Sequence, residues 1–439
     1  MACMEFFENP PDKVRLSSGG EIWGDVRVPG SKSQTNRALV LCALADGSSR
    51  VSGGLVADDS WRMIGALRAM GIRIIQEDDT GQNWDISGCG GVIPNLGKVV
   101  VNAGWAGTVL RFITSVSTLA AHETVITGET ALLSRPIGEL LDALRSLGAR
   151  IDSPGVDGAC AIVRPGVPRG GTAKVDAAQS SQFASAILLP APYFERGLHL
   201  EVTGLGAKGY VDMTVEMMRR HGAQVDFTNS DIHVAAGSYS ACDEEIPGDA
   251  STASHVFTIA AATGGTVCVR GLAAASLQPD LGILSTLADF GCAVEYNADG
   301  SITVVGPDQL RPIDVNLSAT PDQLPNVAVL AALADGRSVI RGVGITRFHE
   351  TDRISALERE LKKVGITAEA AGEDFIVHGG RAVGGANLHA HGDHRLGMAF
   401  AALGLALGST VVENADCVAK TYPRFWTVVQ KIGGQVSVP

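Results

Sequence analysis

Six glycines recur at nearly equal spacing along this chain, and each closes an apolar, helix-like run that is followed by a strand-like run. The copies read IGALRAMGIRI, LLDALRSLGARI, TVEMMRRHGAQV, ILSTLADFGCAV, ERELKKVGITA and WTVVQKIGGQV. The closing glycines are Gly71, Gly148, Gly222, Gly291, Gly365 and Gly433, at intervals of 77, 74, 69, 74 and 68 residues. Self-similarity at a steady period is the signature of a repeat architecture, so the sequence predicts six copies of one structural unit.

A second helix-like run lies inside each copy and is followed by a strand rich in valine, isoleucine or leucine. These runs are SKSQTNRALVLCALADG, GTVLRFITSVSTLAA, SSQFASAILLPAPY, ASHVFTIAAATGG, QLPNVAVLAALADG and HRLGMAFAALGLALG. Each copy is therefore predicted to hold two helices and several strands. A glycine after the last apolar turn supplies the left-handed backbone that a helix C-terminus favours.

Composition restricts the kind of core and the kind of partner. A chain of 439 residues is too long for one ordinary core, and its 45% apolar and 5% aromatic content indicates cores of Ala, Val, Leu and Ile. The net charge of -12 argues against sequence-independent nucleic-acid binding, because no basic surplus exists to displace counterions.

The cysteines and the apolar segments bear on the compartment. Eight cysteines are scattered without a CxxC motif, which favours structural thiols in a reducing compartment over a metal site or a disulfide framework; they are Cys3, Cys42, Cys89, Cys160, Cys242, Cys268, Cys292 and Cys417. The start, MACMEFFENPPDKVRL, has no apolar core of a signal peptide, and GMAFAALGLALG is too short to span a bilayer. We expect a soluble, cytoplasmic protein.

Several of the second helices open with polar or cationic residues: Lys32, Ser33 and Arg37; Thr108 and Arg111; Ser180, Ser181 and Gln182; His394 and Arg395. If the six units are arranged alike, these helix N-termini can converge and offer N–H groups, dipole and side-chain charge to a phosphate or carboxylate. Ordinary N-capping is the alternative for Ser181 and Thr108. Capping explains neither Lys32 nor Arg37.

Further charged residues lie outside these turns. Arg135 precedes a proline and is predicted to project from an extended segment. Glu350 and Arg353 are one helical turn apart, which a surface ion pair also explains, and Lys420 lies in a loop before Tyr422.

One segment formally matches the dinucleotide-binding fingerprint. Gly204, Gly206 and Gly209 follow a predicted strand and open a predicted helix, and Asp226 follows the next strand. The same segment is the third copy of the repeat, which already explains its pattern. A dinucleotide-dependent oxidoreductase therefore remains only as an alternative.

The ordered motifs PGSKSQTNRAL, GWAGTVLRF, SRPIG, SSQF, PDQLP, HETDR, GDHR and AKTYP extend from residue 29 to residue 423 and resemble the motif set of the enolpyruvyl transferase family. The resemblance implies an α/β fold of two lobes, an inside-out α/β barrel with three βαβαββ units per lobe around a pseudo-threefold axis. It also implies that residues 1–28 and 248–439 form one lobe and residues 29–247 the other, with the ligand cleft between them.

The resemblance further implies a reaction and its residues. The substrates would be phosphoenolpyruvate and a hydroxyl acceptor, shikimate 3-phosphate, in the shikimate pathway, with no cofactor, metal, nucleic acid or membrane, in a monomer. Phosphoenolpyruvate would be held by Lys32, Gly107, Arg135, Gln182, Arg353, Arg395 and Lys420. The acceptor would contact Ser33, Arg37, Ser180, Ser181, Gln182, Tyr210, Asp322 and His349, with His394 as a further polar contact.

The same resemblance implies that three residues carry the chemistry. Asp322 would take the proton of the acceptor hydroxyl, Glu350 would be the proton-transfer group at the methylene carbon, and Lys32 would assist at that carbon. Without the family resemblance, we would interpret Asp322, which follows Pro321, as a turn or helix-cap residue. A carboxylate among cations stays ionised, so we expect Glu350 to be insulated from Arg353 if it is to carry a proton.

This chain departs from the family pattern at four positions: Trp105, Ala207, Ile345 and His349 stand where asparagine, serine, asparagine and lysine are frequent. Because Ala207 and Ile345 remove polar contacts to the acceptor, transfer to another hydroxyl, of a nucleotide or other metabolite, stays open; Lys208 is a candidate to replace the phosphate contact. The cell-wall branch is disfavoured, since no cysteine lies between Trp105 and Arg135. A non-catalytic anion-binding protein is the alternative from another class.

Overall fold

The six closing glycines all have the left-handed backbone that the sequence predicts. The computed structural model describes residues 10–94, 97–153, 159–228, 230–272 and 276–439, and Cys3 lies outside them. The φ angles at Gly71, Gly148, Gly222, Gly291, Gly365 and Gly433 are 91°, 100°, 89°, 105°, 80° and 95°. The repeat signal therefore has a backbone cause, because residues with a side chain rarely adopt these angles.

The helix-like runs of the sequence are helices in the structure. In the described part of the chain the helices are α1 (Lys32–Leu44), α2 (Asp58–Ala69), α3 (Gly107–Val116), α4 (Thr130–Leu133), α5 (Gly138–Ser146), α6 (Gln182–Leu188), α7 (Lys208–Arg220), α8 (Ala250–Thr263), α9 (Ile283–Asp289), α10 (Leu324–Leu333), α11 (Arg353–Lys363), α12 (His394–Leu407) and α13 (Phe425–Lys431). Two of them, apart from the short α4, belong to each repeat.

The described strands lie before, between and after these helices along the chain. They are β1 (Lys13–Ser17), β2 (Trp23–Arg27), β3 (Ser48–Ser52), β4 (Arg73–Gln76), β5 (Trp84–Ser87), β6 (Val99–Asn102), β7 (Thr124–Thr127), β8 (Arg150–Asp152), β9 (Ala159–Arg164), β10 (Gly171–Asp176), β11 (Leu198–Thr203), β12 (Val225–Thr228), β13 (Asp231–Val234), β14 (Glu244–Glu245), β15 (Thr266–Arg270), β16 (Ala293–Tyr296), β17 (Ile302–Val305), β18 (Asp314–Asn316), β19 (Gly336–Arg341), β20 (Thr367–Ala371), β21 (Asp374–Gly379), β22 (Asn387–His389), β23 (Thr410–Glu413) and β24 (Gln435–Ser437).

The described strands form six four-stranded sheets of one topology. The orders are β14-β3-β5-β4, β6-β7-β9-β8, β10-β11-β13-β12, β2-β15-β17-β16, β18-β19-β21-β20 and β22-β23-β1-β24. In each sheet the first two strands are parallel and the rest pair antiparallel, as in β10 with β11 and β11 with β13. The βαβαββ repeat expected from the sequence is thus confirmed.

The chain divides into two compact units. The central unit is Gly30–Ile246, and the terminal unit combines Met1–Pro29 with Pro247–Pro439. The N-terminal segment enters the terminal unit through its strands: β1 pairs antiparallel with β23 and β24, and β2 pairs parallel with β15.

Three helices without a polar face fill the interior of the terminal unit. Every residue of α10 from Leu324 to Ala332 is buried, and α8 and α12 are buried over most of their length. A helix that is apolar on all sides must be surrounded by protein. Small residues permit the close approach: a Cβ on Gly404 would lie 2.6 Å from Cδ1 of Leu16.

The cysteines in the described residues, seven in number, are free thiols. Burial raises the pKa of Cys42 to about 12 and that of Cys292 to about 11. These thiols are therefore protonated at neutral pH, in line with a structural role. Within the described ranges, we find no helix whose length and apolar character would let it cross a bilayer.

Candidate active site

Three helix N-termini meet in the terminal unit. Asp393 caps α12, and its Oδ1 accepts the backbone N–H of Arg395 at 2.9 Å. From this second position of α12, the Arg395 guanidinium donates to the Oγ of Ser251, in the first turn of α8. Its Nη2 also donates at 2.8 Å to Oδ2 of Asp322, in the 3-10 helix Pro321–Gln323 that directly precedes α10. The repeat places the starts of these helices together, so residues far apart in the sequence share one cluster.

Arg353, the first residue of α11, is the centre of this cluster. Its side chain is 0% exposed. Nε donates to Oδ2 of Asp393 at 2.7 Å, Nη1 to Oδ1 of Asp322 at 2.8 Å, and Nη2 to Oε2 of Glu350 at 3.1 Å. The three carboxylates hold the pKa of Arg353 above its ordinary value although burial alone would lower it, so the guanidinium is a fixed cation.

Glu350 is not insulated from cations, and the expectation from the sequence is wrong on this point. Its Oε2 accepts from Arg353 at 3.1 Å and its Oε1 accepts from Nζ of Lys420 at 2.9 Å. Lys420 ends a 3-10 helix, Ala415–Lys420, that sequence patterns could not connect with residue 350. In this structure the Glu350 carboxylate therefore lies between two positive charges.

Asp322 is held as a carboxylate. Burial alone would raise its pKa, but Arg395, His349 and Arg353 outweigh burial and hold the pKa of Asp322 well below its ordinary range. The group is therefore ionised at neutral pH, which is the form that can accept a proton.

His349 adjoins both Arg353 and Asp322. Its Nδ1 lies 3.0 Å from Nη1 of Arg353 and 3.3 Å from Oδ1 of Asp322. Nδ1 therefore faces a guanidinium donor and a carboxylate acceptor at the same time. Burial is the main cause that lowers the pKa of His349; Asp322 opposes it and Arg353 adds to it.

The central unit gathers a second set of sequence-predicted residues at the start of α3. A Cβ built on Gly107 would lie 3.0 Å from Nη1 of Arg135 and 3.3 Å from Nη1 of Arg111, so both guanidinium groups lie against this glycine. Arg111 also donates to Oε1 of Gln182 at 2.7 Å, at the start of α6. The contacts join Gly107, Arg135 and Gln182 in one cluster.

Arg111, which the sequence placed among the helix starts expected to converge, belongs to this cluster, although the family resemblance did not assign it to a ligand. It is 2% exposed, donates to the carbonyl oxygen of Pro136 at 3.1 Å, and lies over the ring of Phe183 at 5.2 Å. Arg111 lies one helical turn after Gly107, and this spacing in the sequence indicates that the two residues share one face of α3.

Lys32, the first residue of α1, has an acidic neighbour in the next helix. Nζ lies 3.6 Å from Oδ2 of Asp59, which is buried in the first turn of α2. Sequence reasoning missed Asp59; the signal was the Asp-Asp pair that opens α2. The carboxylate restrains the ammonium group of Lys32 without a close hydrogen bond.

Arg37 is a buried cation held by neutral oxygens. Nε donates to Oγ1 of Thr214 at 2.7 Å, Nη1 to the carbonyl oxygen of Ser33 at 2.9 Å, and Nη2 to the carbonyl oxygen of Tyr210 at 3.0 Å. Among the described residues, no carboxylate forms an ion pair with it. Burial lowers the pKa of Arg37 to about 10, which still leaves it charged at neutral pH.

Ser180 and Ser181 lie buried where α6 begins. The Oγ of Ser180 accepts the backbone N–H of Gln182 at 3.2 Å. The side chain of Ser181, at the N-cap position, makes no capping hydrogen bond. His394 is buried at the start of α12, with Nδ1 3.9 Å from Oδ1 of Asp393.

The structure gives the environments of Ala207 and Ile345, two positions that depart from the family pattern, and of the neighbouring Lys208. Ala207 is buried at the N-cap of α7 and offers no side-chain cap. Lys208 forms an ion pair with Asp212 and lies 4.0 Å from the centre of the Phe227 ring. Ile345 is half-buried in the 3-10 helix Gly344–Phe348.

The dinucleotide fingerprint does not form a dinucleotide-binding unit. Strands β11 and β12 flank α7, but β13 lies between them in the sheet. The fingerprint requires adjacent parallel strands around the helix, so the repeat alone explains Gly204, Gly206 and Gly209. In the described residues, no group of three or more His, Cys, Asp or Glu side chains is arranged to hold a metal ion.

Comparisons with known proteins agree with this picture. Residues 16–429 match the family model described as EPSP synthase (3-phosphoshikimate 1-carboxyvinyltransferase). The chain is 38% identical over 426 residues to a 3-phosphoshikimate 1-carboxyvinyltransferase of Methanothermobacter thermautotrophicus, covering 97% of this chain and 99% of that protein. It is 35% identical over 446 residues to the chloroplastic enzyme of that name from Petunia hybrida, covering 96% of this chain and 85% of that protein.

A solved structure shares the fold. The structure titled as EPSP synthase from Acinetobacter baumannii superposes with a TM-score of 0.80 at 24% identity, covering 97% of this chain and 99% of that chain. The two-lobed α/β class expected from the sequence is thereby confirmed.

Proposed function

Because this chain belongs to the EPSP synthase family, we propose that it transfers the enolpyruvyl group of phosphoenolpyruvate to a hydroxyl of shikimate 3-phosphate. Phosphate is released, and the reaction is a step of the shikimate pathway toward aromatic amino acids. The observation that carries the proposal is a cluster in which Arg353 donates to both Asp322 and Glu350, while Arg395 donates to Asp322 and Lys420 to Glu350. It combines proton acceptors with fixed cations, which this chemistry requires.

Phosphoenolpyruvate carries a phosphate and a carboxylate, and guanidinium groups bind both in a bidentate manner. The terminal unit supplies Arg353, Arg395 and Lys420. The central unit supplies Lys32, Gly107, Arg135 and Gln182, with Arg111 fixing the Gln182 amide by its hydrogen bond of 2.7 Å. The proposal requires that both sets act on one phosphoenolpyruvate molecule during turnover.

In the addition step, the acceptor oxygen forms a bond to C2 of phosphoenolpyruvate. The hydroxyl proton passes to Asp322, and the electron pair of the C2–C3 double bond takes a proton from Glu350. In the elimination step, the bond between C2 and the phosphate oxygen breaks and phosphate leaves with the electron pair. A C3 proton returns to Glu350, the proton on Asp322 passes to phosphate, and Lys32 stabilises the charge on the bridging oxygen.

The contacts of Glu350 suggest how it acquires the proton that it donates. In the structure, its charge is paired with Arg353 and Lys420. A bound phosphoenolpyruvate competes for the same two cations. Loss of these partners raises the proton affinity of Glu350, so substrate binding and protonation of Glu350 are coupled.

The acceptor is proposed to contact Ser33, Arg37, Ser180, Ser181, Gln182, Tyr210, Asp322 and His349. Arg37 supports an anionic acceptor, because it is a buried cation whose hydrogen bonds in the described structure all go to neutral oxygens. A carboxylate or phosphate of the acceptor would supply the missing opposite charge. We further propose that the protein acts in the cytoplasm as a monomer of 45.5 kDa without a cofactor, which light scattering tests for mass.

The test is phosphate release from phosphoenolpyruvate with shikimate 3-phosphate and, separately, with a panel of other hydroxyl compounds. We expect turnover with shikimate 3-phosphate. Turnover only with another alcohol would show that the acceptor is not shikimate 3-phosphate but another hydroxyl compound, the alternative that Ala207 and Ile345 leave open. No turnover with any acceptor would reject enolpyruvyl transfer.

The matched variants are Lys32→Met and Lys208→Met, which remove a lysine from the first turn of two helices of the same unit. Lys32→Met is expected to abolish turnover. Lys208→Met is expected to retain it, because Lys208 contacts Asp212 and Phe227 instead. An active Lys32→Met variant would remove Lys32 from the mechanism.

A further inference from the structure

The turn that presents Asp393 to Arg353 has an unusual backbone. His391 has a φ angle of 55°, and Gly392 follows with 71°. A residue with a side chain adopts such an angle only where its surroundings fix it. Within the turn, the Asp393 N–H donates to the carbonyl oxygen of Ala390 at 2.9 Å, and the Gly392 N–H donates to Oδ1 of Asn414 at 2.6 Å.

A buried carboxylate on α11 holds the other end of this turn. Glu360 is 0% exposed, and its Oε1 lies 2.9 Å from Nε2 of His391. Its Oε2 accepts the backbone N–H of His389 at 2.8 Å and Nζ of Lys363 at 2.6 Å. Lys363 also donates to the carbonyl oxygen of Asn387 at 3.0 Å. Glu360 thus binds both histidines that precede the Gly-Asp of the turn.

Glu360 and Arg353 face the same segment because they are two helical turns apart on α11. Arg353 grips Asp393 at the end of the turn with two hydrogen bonds, of 2.7 and 3.4 Å. Glu360 grips its beginning through His389 and His391. The two contacts fix the turn against one face of α11 at both ends.

We propose that Glu360 is a positioning residue that, through His389 and His391, sets the place of Asp393 and thereby the aim of Arg353 and Arg395 at phosphoenolpyruvate. The kinetic part of this proposal rests on the proposed function. Asp393 is the link, because it accepts from the Arg353 side chain and from the backbone N–H of Arg395.

The charges around Glu360 support its ionised form. Burial alone would raise its pKa, but Lys363, the His389 N–H and His391 outweigh burial and lower it. On the neighbouring strand, Glu413 interacts with His389 and forms an ion pair with Lys13. Glu360 therefore acts as a charged acceptor of three hydrogens, which no neutral side chain of its size reproduces.

The test compares Glu360→Gln with Glu358→Gln in the full-length protein. Glu358 lies on the same helix, but its Oε1 accepts the backbone N–H of Ala370, away from the turn. We expect Glu360→Gln to raise the KM for phosphoenolpyruvate about tenfold, with the KM for shikimate 3-phosphate and kcat changed less than about threefold. Glu358→Gln is expected to leave all three constants within about twofold.

A second variant separates positioning from backbone strain. His391→Gly accepts the φ angle of 55° without strain but cannot reach Glu360. Positioning predicts the same rise in the KM for phosphoenolpyruvate. A purely structural role predicts an unchanged KM, and this result would overturn the proposal.

Crystal structures give a readout that does not depend on turnover. In Glu360→Gln we expect the turn to shift and the distance from Arg353 Nε to Asp393 Oδ2 to exceed 2.7 Å. An unchanged turn in this variant would overturn the positioning role. Inactivity of the wild-type protein would instead refute the proposed function, and the structural comparison would still decide the role of Glu360.

Discussion

Replacing Arg353 by lysine tests the network most directly, because it keeps the charge and removes the geometry. The guanidinium donates to Asp393, Asp322 and Glu350. Asp322 and Glu350 keep Arg395 and Lys420 as partners, so each loses only part of its pairing. Asp393 is 0% exposed and loses its two hydrogen bonds to the guanidinium.

The expected loss follows from Asp393 alone. A hydrogen bond to a charged group contributes about 1.5 to 3 kcal/mol, and removing one partner of a buried ion pair costs about 3 to 5 kcal/mol. The retained ammonium charge offsets part of this cost. We therefore expect the free energy of unfolding of the terminal unit to fall by about 2 to 3 kcal/mol.

Urea unfolding followed by intrinsic tryptophan fluorescence, to which Trp426, buried in the terminal unit, contributes, measures this change. The matched control is Arg347→Lys, because Arg347 forms a half-exposed ion pair with Asp352 at 3.0 Å. Its expected loss is below about 1 kcal/mol. Equal losses in the two variants would refute the reasoning that burial and fork geometry make Arg353 irreplaceable.

Three further predictions concern the phosphoenolpyruvate cluster, acid stability and the thiols. Gly107→Ala should raise the KM for phosphoenolpyruvate severalfold at unchanged thermal stability, because the added Cβ would lie 3.0 Å from Nη1 of Arg135. The control is Gly138→Ala at another helix start, where an added Cβ has no neighbour within 4 Å and the KM should not change. Equal effects of the two variants on the KM would contradict the prediction. Because the folded pKa of Asp322 is depressed, its stabilisation is complete above the ordinary pKa of about 3.9 and is lost as pH falls through the lower folded value. Asp322→Asn should therefore flatten the fall in urea midpoint on acidification below about pH 5, and parallel curves would count against it. Cys42, whose pKa burial raises to about 12, should resist alkylation at pH 7.5 until urea is added, and rapid labelling of the folded protein, read by mass spectrometry, would disprove its burial.

The repeat and the helix starts were predictable because their causes are local. A closing glycine such as Gly71 is required by the backbone of a few residues, and the fold repeats that requirement six times. An apolar run such as α10 indicates a buried helix by its own composition. The ordered motifs led us to expect, by resemblance, that Arg353, Arg395 and Lys420 belong to one family's ligand-binding set.

The partners of those residues were not predictable in the same way. Glu350 was expected to be insulated, yet Lys420 reaches it from 70 positions along the chain. Arg111, Asp59 and Glu360 carried only weak signals, because each acts through a contact with a residue of another element.

Local sequence thus determined the number and order of the elements and the glycines at which helices end. Hydrophobic periodicity and the backbone freedom of glycine act over only a few residues. Tertiary structure alone decided which carboxylate faces which cation, since an ion pair depends on ångström distances that only the packing of separate repeats sets. The charge states of Asp322 and Arg353, and with them the chemistry proposed here, belong to that second level.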